Sequence, residues 1–315
     1  MNPENHSSGS ALRRRAFAYQ LCDVFTTHRL AGNQLAVFVD AGGLSTDEMQ
    51  ALARETNLSE TTFIVRRDAS VERERGVLVR IFTTEEELPF AGHPTLGTAT
   101  VIRALFPEWA NAERVVLDLK AGRVPVAFHR SGGIERGVMT QPRPVFGRTH
   151  KPEELAPLLG LAVEDLHAEL LPQTVSTGLP FCVVPLRSVE ALTRLRVDGH
   201  RANEYLARVA AEDADGPHAK FFYVIAEEGA HAWRSRMQFY NGEDPATGSA
   251  AGCATAYLAA RGVLAEGAEL HLRQGIEMRR PSDIYSSFQR NDATVSEVRV
   301  GGSTVLVAEG RFFLD

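Results

Sequence analysis

Apolar residues alternate with polar or small residues along much of this chain, which is the spacing expected of β-strands that bury one face. In the first half the pattern predicts strands over residues 17–25, 34–39, 61–65, 77–83, 115–119 and 124–128. In the second half it predicts strands over 174–177, 181–186, 220–226, 233–240, 269–272, 297–300, 304–308 and 311–314. Strands therefore dominate the predicted fold.

Helical patterns are fewer and shorter. A capping box from Ser45 to Glu48 predicts a helix over 46–55. The apolar spacing predicts other helices over 152–159, 163–170, 189–195 and 202–211. Helices are therefore expected as a minor part of the fold.

Two further predicted helices, over 94–105 and 247–260, consist almost entirely of apolar or small residues. A helix that is apolar on all sides is usually buried on all sides. Each of the two follows a loop that contains Gly and Pro, and each lies in a different half of the chain. We therefore predict an α/β (α+β) fold of two similar domains, each a curved, mostly antiparallel or mixed sheet wrapped around a central helix.

A length of 315 residues suits two domains of about 150 residues each. The segment Gln141–Pro144 (QPRP) is the predicted seam, which gives an N-terminal domain over 15–142 and a C-terminal domain over 143–315. Residues 1–14 are polar and are expected to be a disordered tail.

Composition and charge point to small-molecule chemistry. The net charge of −6 gives no general attraction for nucleic acid or for an anionic membrane. No stretch approaches the roughly 18 apolar residues that span a bilayer. The segment after Arg13–Arg15 is too polar for a signal peptide. We therefore expect a cytoplasmic protein that binds neither nucleic acid nor membrane.

The three cysteines, Cys22, Cys182 and Cys253, are far apart and form no C-x-x-C motif. An odd number without paired spacing argues against a disulfide framework and for a reducing compartment. Their apolar neighbours predict buried, unreactive side chains.

Motifs for common cofactors and metals do not occur in the sequence. It contains no Walker A motif, no G-x-S-x-G and no dinucleotide-binding G-x-G-x-x-G. Its ten histidines include no H-x-x-x-H or H-E-x-x-H spacing. We therefore expect chemistry without a metal or a cofactor.

Glu60, in the segment Asn57–Phe63 (NLSETTF), is the first candidate for a chemical role. It lies between a predicted helix and a predicted strand, where a solvated loop carboxylate is one interpretation. The other is a carboxyl group desolvated by Leu58 and Phe63, with its pKa raised toward neutrality, that takes up and returns a proton.

His93, in the segment Ala91–Thr95 (AGHPT), is the second candidate. It stands at a predicted helix start, where the positive end of the helix dipole lowers the pKa of a histidine and favours its neutral form. A purely structural histidine is the alternative.

Asp244, in the segment Asn241–Gly252 (NGEDPATGSAAG), is the third candidate. It could serve only as a helix N-cap. The exposed N–H groups of Gly248 and Ser249 at the same helix start would suit a substrate carboxylate.

Taken together, five motifs in this chain resemble the PhzF family, which is named for a phenazine-biosynthesis isomerase. Each motif alone is weakly specific, but their order matches that of the family, and the resemblance spans about residues 16–315. The motifs are Asp23–Thr26 (DVFT), Ala31–Asn33 (AGN), Asn57–Thr61 (NLSET), Ala91–Thr95 (AGHPT) and Glu243–Ala250 (EDPATGSA).

The resemblance implies a fold like that of diaminopimelate epimerase. Two similar α/β domains would face each other across a cleft, with the N-terminus of each central helix pointing into it. The last strand would cross back to complete the first domain. The family resemblance also favours a homodimer.

The resemblance further implies roles for individual residues. Glu60 matches the carboxylate that shuttles a proton, and Asp244 matches the acidic partner that orients a polar group or relays a proton. His93 is the third implied catalytic residue and, with Gly92, holds the substrate. The other implied substrate-binding positions are Asn33, Thr95, Gly248 and Ser249. Related cofactor-free epimerases carry a cysteine at each helix N-terminus, and neither place is a cysteine here.

The predicted function is therefore a metal- and cofactor-independent isomerase that transfers a proton on a small unsaturated carboxylic or amino acid. The alternatives are an amino-acid epimerase or lyase on the same scaffold, or a non-catalytic binding protein for small molecules. Gln34, where the family often has Pro, and Asp283, where a basic residue is frequent, favour a substrate other than dihydro-hydroxyanthranilate.

Overall fold

The computed structural model describes residues 15–213, 215–239, 242–292 and 294–315. The tail expected over residues 1–14 lies outside the described residues. Among the helices of the described chain, none is both long enough and apolar enough to cross a membrane.

In the described residues the α-helices are α1 (Thr46–Thr56), α2 (Ala69–Arg75), α3 (Gly92–Leu105), α4 (Pro152–Leu155), α5 (Val189–Arg194), α6 (Gly199–Glu212) and α7 (Gly248–Ala260). The strands of the first half are β1 (Arg15–Val24), β2 (Asn33–Phe38), β3 (Thr61–Val65), β4 (Val77–Phe82), β5 (Glu87–Leu88), β6 (Arg114–Leu119), β7 (Gly122–Ser131) and β8 (Ile134–Gln141). The strands of the second half are β9 (Val145–Thr149), β10 (Gln173–Ser176), β11 (Pro180–Leu186), β12 (Phe222–Gly229), β13 (Ala232–Phe239), β14 (Gly242–Glu243), β15 (Leu270–Gln274), β16 (Ser282–Asn291), β17 (Thr294–Gly302) and β18 (Thr304–Leu314).

The strands pair in two successive groups that meet at one seam. The first group runs in the order β18, β1, β2, β3, β4, β6, β7, β8. The second runs β17, β16, β15, β13, β12, β11, β10, β9. Strand β8 pairs with β17 and joins the groups. The final strand of the chain therefore lies beside the first strand, with Arg15 opposite Leu314.

Each group of strands packs around one buried helix. Helix α3 contacts strands of the first group, including β1, β2, β6 and β8, and helix α7 contacts β10, β11, β16 and β17 of the second. Every residue of α7 from Gly248 to Ala259 is buried. The all-apolar pattern therefore indicated burial correctly, and the predicted α/β class is confirmed. The domain boundary at residue 142 stays a prediction.

The helix predicted over 163–170 is wrong. A single turn of 3-10 helix, Val163–Asp165, forms at its start. The chain then follows strand β11, because Leu166 bridges Leu186 and the His167 N–H donates to the Pro185 carbonyl (3.0 Å). These contacts with a neighbouring strand outweigh the weak helical pattern of the segment.

Helix α2 and strands β8, β9 and β16 were not predicted. In β16 the inward positions alternate regularly, but two of them are the polar Ser282 and Ser286, and the Ser286 hydroxyl lies 2.6 Å from that of Thr255. The two strands predicted over 304–308 and 311–314 form the single strand β18, because Gly310 continues the pairing opposite Tyr19. Strand β13 reaches Phe239, and residue 240 of the predicted strand lies outside the described residues.

Candidate active site

The two central helices meet at their N-termini. A Cβ atom placed on Gly92, the first residue of α3, would lie 3.0 Å from the backbone nitrogen of Ser249 and 3.3 Å from Cα of Gly248. The first N–H groups of a helix have no partner within the helix, and they carry the positive end of its dipole. Two such ends in contact favour an anion beside them.

A cavity of about 110 Å³ opens at this junction and takes its lining from both groups of strands. Its buried polar part is lined by Glu60, Gly92, His93, Asp244, Thr247, Gly248 and Ser249. Its apolar wall includes Leu88, Ala91, Leu179, Pro180, Phe181, Phe221 and Met237. Three exposed side chains stand at the mouth: Glu86, His218 and Lys220. The interior is therefore largely apolar, with a few convergent polar groups, as in small-molecule sites.

Glu60 is held in the cavity by the connection between α1 and β3. Helix α1 ends at Asn57 in the left-handed conformation (φ 51°), and β3 begins at Thr61, directly after Glu60. The residue is 7% exposed. The described residues offer its carboxyl group no hydrogen bond, and Oε2 lies 3.6 Å from His93 Nε2.

Burial strongly raises the pKa of Glu60, and the negative charge of Asp244 adds to the effect. Both causes disfavour the ionised form, because a desolvated charge loses its hydration and a like charge repels it. The solvated-loop interpretation of Glu60 is therefore wrong. The structure buries this carboxyl group in the cavity, where its proton is held more tightly than in water.

His93, the second residue of α3, is also buried. Burial lowers its pKa to about 3, opposed by a hydrogen bond with the backbone of Gln34, so the ring is neutral near pH 7. Nδ1 lies 3.2 Å from the amide nitrogen of Asn33. Nε2 is buried without a hydrogen-bond partner among the described residues and faces Glu60. An unpaired polar atom is costly in the protein interior unless a ligand satisfies it.

The Asp244 carboxylate accepts hydrogen bonds at both oxygens. Asn33 Nδ2 (2.9 Å) and Ser59 Oγ (3.2 Å) donate to Oδ1, and the Thr247 hydroxyl donates to Oδ2. Burial raises the pKa of Asp244 to about 6, while these three hydrogen bonds lower it and the charge of Glu243 raises it. The group therefore changes charge near neutral pH.

Two of the residues expected to bind substrate do not line the cavity. Asn33 supports it from behind, because its amide nitrogen contacts Asp244 and also lies 2.8 Å from the Ala246 carbonyl. Thr95 is fully buried, and its hydroxyl donates to the Ala91 carbonyl (2.7 Å) one turn earlier in α3. Glu60, Gly92, His93, Asp244, Gly248 and Ser249 do come together at the cavity.

The structure adds residues that sequence reasoning missed. Lys220 is the only Lys or Arg among the described residues that line the cavity, and it stands just before β12. A lysine before a strand is ordinary in sequence, so nothing singled it out. Gln274, at the end of β15, is fully buried and binds the Asp244–Thr247 segment. A buried glutamine in an alternating strand carries no sequence signal of its role.

In the described part of the chain, no three His, Cys, Asp or Glu side chains are grouped so that they could hold a metal ion.

Comparison with known proteins shows likeness over almost the whole chain. A model of the family described as phenazine biosynthesis-like protein (PhzC-PhzF) matches residues 22–310. A trans-2,3-dihydro-3-hydroxyanthranilate isomerase of Pseudomonas aeruginosa is 37% identical over 94% of this chain and 99% of its own. The structure of a predicted epimerase from the same species has a TM-score of 0.79 and 34% identity, over 95% of this chain and all of that one.

More distant structures share the fold alone. A hydroxyproline epimerase from Agrobacterium vitis has a TM-score of 0.64 at 15% identity, over 96% of this chain and 93% of its own. The expected epimerase-like architecture is thereby confirmed.

Proposed function

Since this chain belongs to the phenazine biosynthesis-like protein family and is an isomerase, we propose that it shifts a hydrogen between two carbons of a small unsaturated carboxylic or amino acid. Glu60 is the single acid and base of the reaction, and no cofactor takes part. The relative named for trans-2,3-dihydro-3-hydroxyanthranilate is similar enough that this compound is the first substrate to assay.

The observation that carries the proposal is the state of Glu60. Its carboxyl group is buried in the cavity without a hydrogen bond from the described residues, and its pKa is raised by burial and by Asp244. A group that both takes and returns a proton works best when its pKa lies near the working pH. An ordinary solvated glutamate would be too weak a base for a carbon acid.

The N-termini of helices α3 and α7, which contact each other, bind the substrate in this proposal. The backbone N–H groups at Gly248 and Ser249 bind the substrate carboxylate, assisted by the dipole of α7. Lys220 attracts the same anion at the mouth. These groups hold the substrate so that one carbon lies against the Glu60 carboxyl group, and such positioning supplies much of the rate.

The reaction then needs two proton transfers and no net change in atoms. Ionised Glu60 removes a proton from a carbon next to an unsaturated or carbonyl group, and the electron pair spreads into that group. The protonated Glu60 returns the proton to a second carbon, which moves the double bond. The apolar wall excludes water, so the electrostatic interactions in the cavity remain strong.

His93 and Asp244 complete the proposal as groups that contact the substrate. The unpaired Nε2 of His93 forms a hydrogen bond with a polar substituent of the substrate. Asp244, ionised for part of the population at neutral pH, accepts a hydrogen bond from a substrate N–H or O–H. Both groups hold the ring or chain in one orientation while the proton moves.

Epimerisation is the second candidate, because two carboxyl groups with raised pKa face the same cavity. A two-base epimerase would use Glu60 and Asp244 on opposite faces of one carbon. Both oxygens of Asp244 already accept hydrogen bonds, which favours a positioning role for this group over that of a free base.

The test is turnover of trans-2,3-dihydro-3-hydroxyanthranilate and related unsaturated amino acids in D₂O, followed by NMR. The proposal predicts double-bond migration, and any deuterium gained appears at the carbon that receives the proton. Glu60→Gln keeps the shape of the side chain but removes the base, so turnover falls by at least about a hundredfold. Glu55→Gln, at the exposed end of α1, is the matched control and keeps full activity.

Retained turnover in Glu60→Gln rejects Glu60 as the base. Deuterium at a stereocentre without migration of a double bond supports the epimerase instead.

A further inference from the structure

Gln274, the last residue of β15, fastens the loop that carries Asp244. The side chain is fully buried. Its amide nitrogen donates to the Asp244 carbonyl (2.8 Å) and to the Thr247 hydroxyl oxygen (3.0 Å). Its amide oxygen accepts from the Thr247 backbone N–H (3.1 Å) and from the Tyr223 hydroxyl (3.2 Å). Both polar atoms of the Gln274 side chain are therefore hydrogen-bonded, and three of these bonds go to Asp244 and Thr247.

The chemistry of these partners fixes the orientation of the Gln274 amide. A backbone N–H can only donate, so the group facing Thr247 N must be the amide oxygen. A carbonyl can only accept, so the group facing Asp244 O must be the amide NH₂. The amide cannot flip without losing both bonds.

A fixed amide in turn fixes the direction of the Thr247 hydroxyl. Gln274 donates to the Thr247 oxygen, so the one hydroxyl proton is free to point elsewhere. Oδ2 of Asp244 accepts that proton. Asn33 and Ser59 hold Oδ1. The carboxylate therefore receives donors at both oxygens, and one of these donors is oriented by a residue that never reaches the cavity.

We propose that Thr247 and Gln274 are positioning residues, which act through Asp244 by holding its carboxylate in one rotamer and in its ionised form. The proposal rests on the role assigned to Asp244 above. It adds that this Gln274–Thr247–Asp244 chain of hydrogen bonds sets the pH below which Asp244 is protonated and holds the substrate less well, a step separate from the protonation of Glu60. Gln274 itself does not line the cavity.

The surroundings of Asp244 raise its pKa, and the chain of hydrogen bonds lowers it. Burial and Glu243 raise the pKa of Asp244, and the Thr247 bond is the first of the three that lower it. Glu60, just before β3, and Tyr223, in β12, interact with it electrostatically, and neutral His93 shares the Asn33 amide nitrogen with it. Arg236 pairs with Glu243 (2.7 Å) and moderates its charge. None of these neighbours donates a hydrogen bond to the Asp244 carboxylate.

The experiment compares Thr247→Val with Thr247→Ser. The first keeps the volume and loses the hydroxyl, and the second keeps the hydroxyl. A hydrogen bond to a charged group is lost in Thr247→Val, so the step of the acid limb of kcat/KM that belongs to Asp244 moves up by about one pH unit. Thr247→Ser restores the wild-type limb. Gln274→Met, which cannot donate to Thr247 or to the Asp244 carbonyl and adds no charge, moves this step in the same direction as Thr247→Val.

A second measurement reads the same effect without turnover. In protein labelled with ¹³C at aspartate carboxyl groups, with Asp244→Asn to assign the resonance, the Asp244 signal titrates at higher pH in Thr247→Val than in the wild type. This separates the inference from the proposed function, because Glu60→Gln tests the base and leaves this titration in place. If Thr247→Val does not fold, Gln274→Met gives the same comparison.

The proposal is overturned if Asp244 titrates at the same pH in Thr247→Val and in the wild type. It is equally overturned if turnover falls by one factor at every pH, since a merely structural role of Thr247 lowers the rate without moving the limb.

Discussion

Glu60 and His93 face each other across the candidate site, with 3.6 Å between Oε2 and Nε2 and no hydrogen bond joining them. Both side chains are buried, and His93 Nε2 has no hydrogen-bond partner in the part of the chain that the structure describes. Burial moves their pKa values in opposite directions, that of Glu60 up and that of His93 down to about 3. These two polar groups therefore face each other in a largely apolar cavity, where a ligand can form hydrogen bonds with them.

The first prediction concerns stability. At pH 7 unfolded Glu60 is ionised, whereas the folded state favours its protonated form, so the folded state binds more protons. The free energy of unfolding therefore falls as pH rises from the ordinary glutamate pKa through the raised folded value. Glu60→Gln removes this loss and is expected to have a higher melting temperature than the wild type at pH 7.

The advantage of Glu60→Gln shrinks toward pH 4, where Glu60 is protonated in both states. Glu55→Gln, at an exposed position on the same helix, is expected to leave the melting temperature unchanged. Equal melting temperatures of wild type and Glu60→Gln across this pH range would contradict a raised pKa at residue 60.

The second prediction concerns the contact between the helix N-termini. A methyl group in Gly92→Ala meets the Ser249 nitrogen at 3.0 Å, so the end of α7 must shift. Overpacking of this kind costs about 1–3 kcal/mol, and a displaced binding group can lower kcat/KM by up to about a hundredfold. Gly199→Ala, at the start of α6 where an added Cβ meets nothing within 4 Å, is the control. If Gly92→Ala and Gly199→Ala are equally active, substrate binding and turnover do not depend on the contact between the N-termini of α3 and α7.

The third prediction concerns Lys220. The other charged residues that line the cavity, Glu60, Glu86 and Asp244, are acidic. Lys220→Met is expected to raise KM for a carboxylate substrate by about ten- to a hundredfold, the value of a charged hydrogen bond, with little change in kcat. The salt dependence of kcat/KM should weaken as well. Lys151→Met, at an exposed position before α4, should change neither quantity. A fall in kcat at unchanged KM would instead give Lys220 a role in the chemical step.

The fourth prediction concerns thiol chemistry. Cys22, Cys182 and Cys253 are all free and buried, and burial raises the pKa of each thiol, to about 11 in Cys253. Buried thiols of this kind react poorly, because the thiolate is the nucleophile. Iodoacetamide at pH 7.5 is expected to modify none of the three in the native protein, and turnover should survive. Loss of turnover with one labelled cysteine would point to a thiol mechanism.

Much of this architecture could be predicted from the sequence, because the spacing of apolar residues shows which faces of the helices and strands are buried. The two helices that are apolar on every side had to be buried, and the structure has a sheet around each. The site motifs also placed Glu60, His93 and Asp244 together. Strand β16 was missed because the polar Ser286 faces inward. Its hydroxyl forms a hydrogen bond with that of Thr255, and a local sequence pattern cannot predict such a contact.

The same limit applies to the support of the site. Asn33 and Gln274 are 211 and 30 residues away from Asp244, yet both hold it. Lys220 lies at the mouth of the cavity only because strand β12 places the preceding segment of the chain there. Such roles arise from tertiary contacts between polar groups, whereas the alternation of apolar residues reports only which face of an element is buried.

The most direct test of the account is the ¹³C titration of the Glu60 carboxyl group in glutamate-labelled protein, with Glu60→Gln to assign its resonance. We predict that this signal titrates well above the ordinary glutamate value of 4.5, apart from the exposed glutamates. Binding of a carboxylate substrate or analogue should shift it further. A Glu60 signal that titrates with the exposed glutamates and does not respond to such a ligand would contradict the assignment of this residue as the proton carrier.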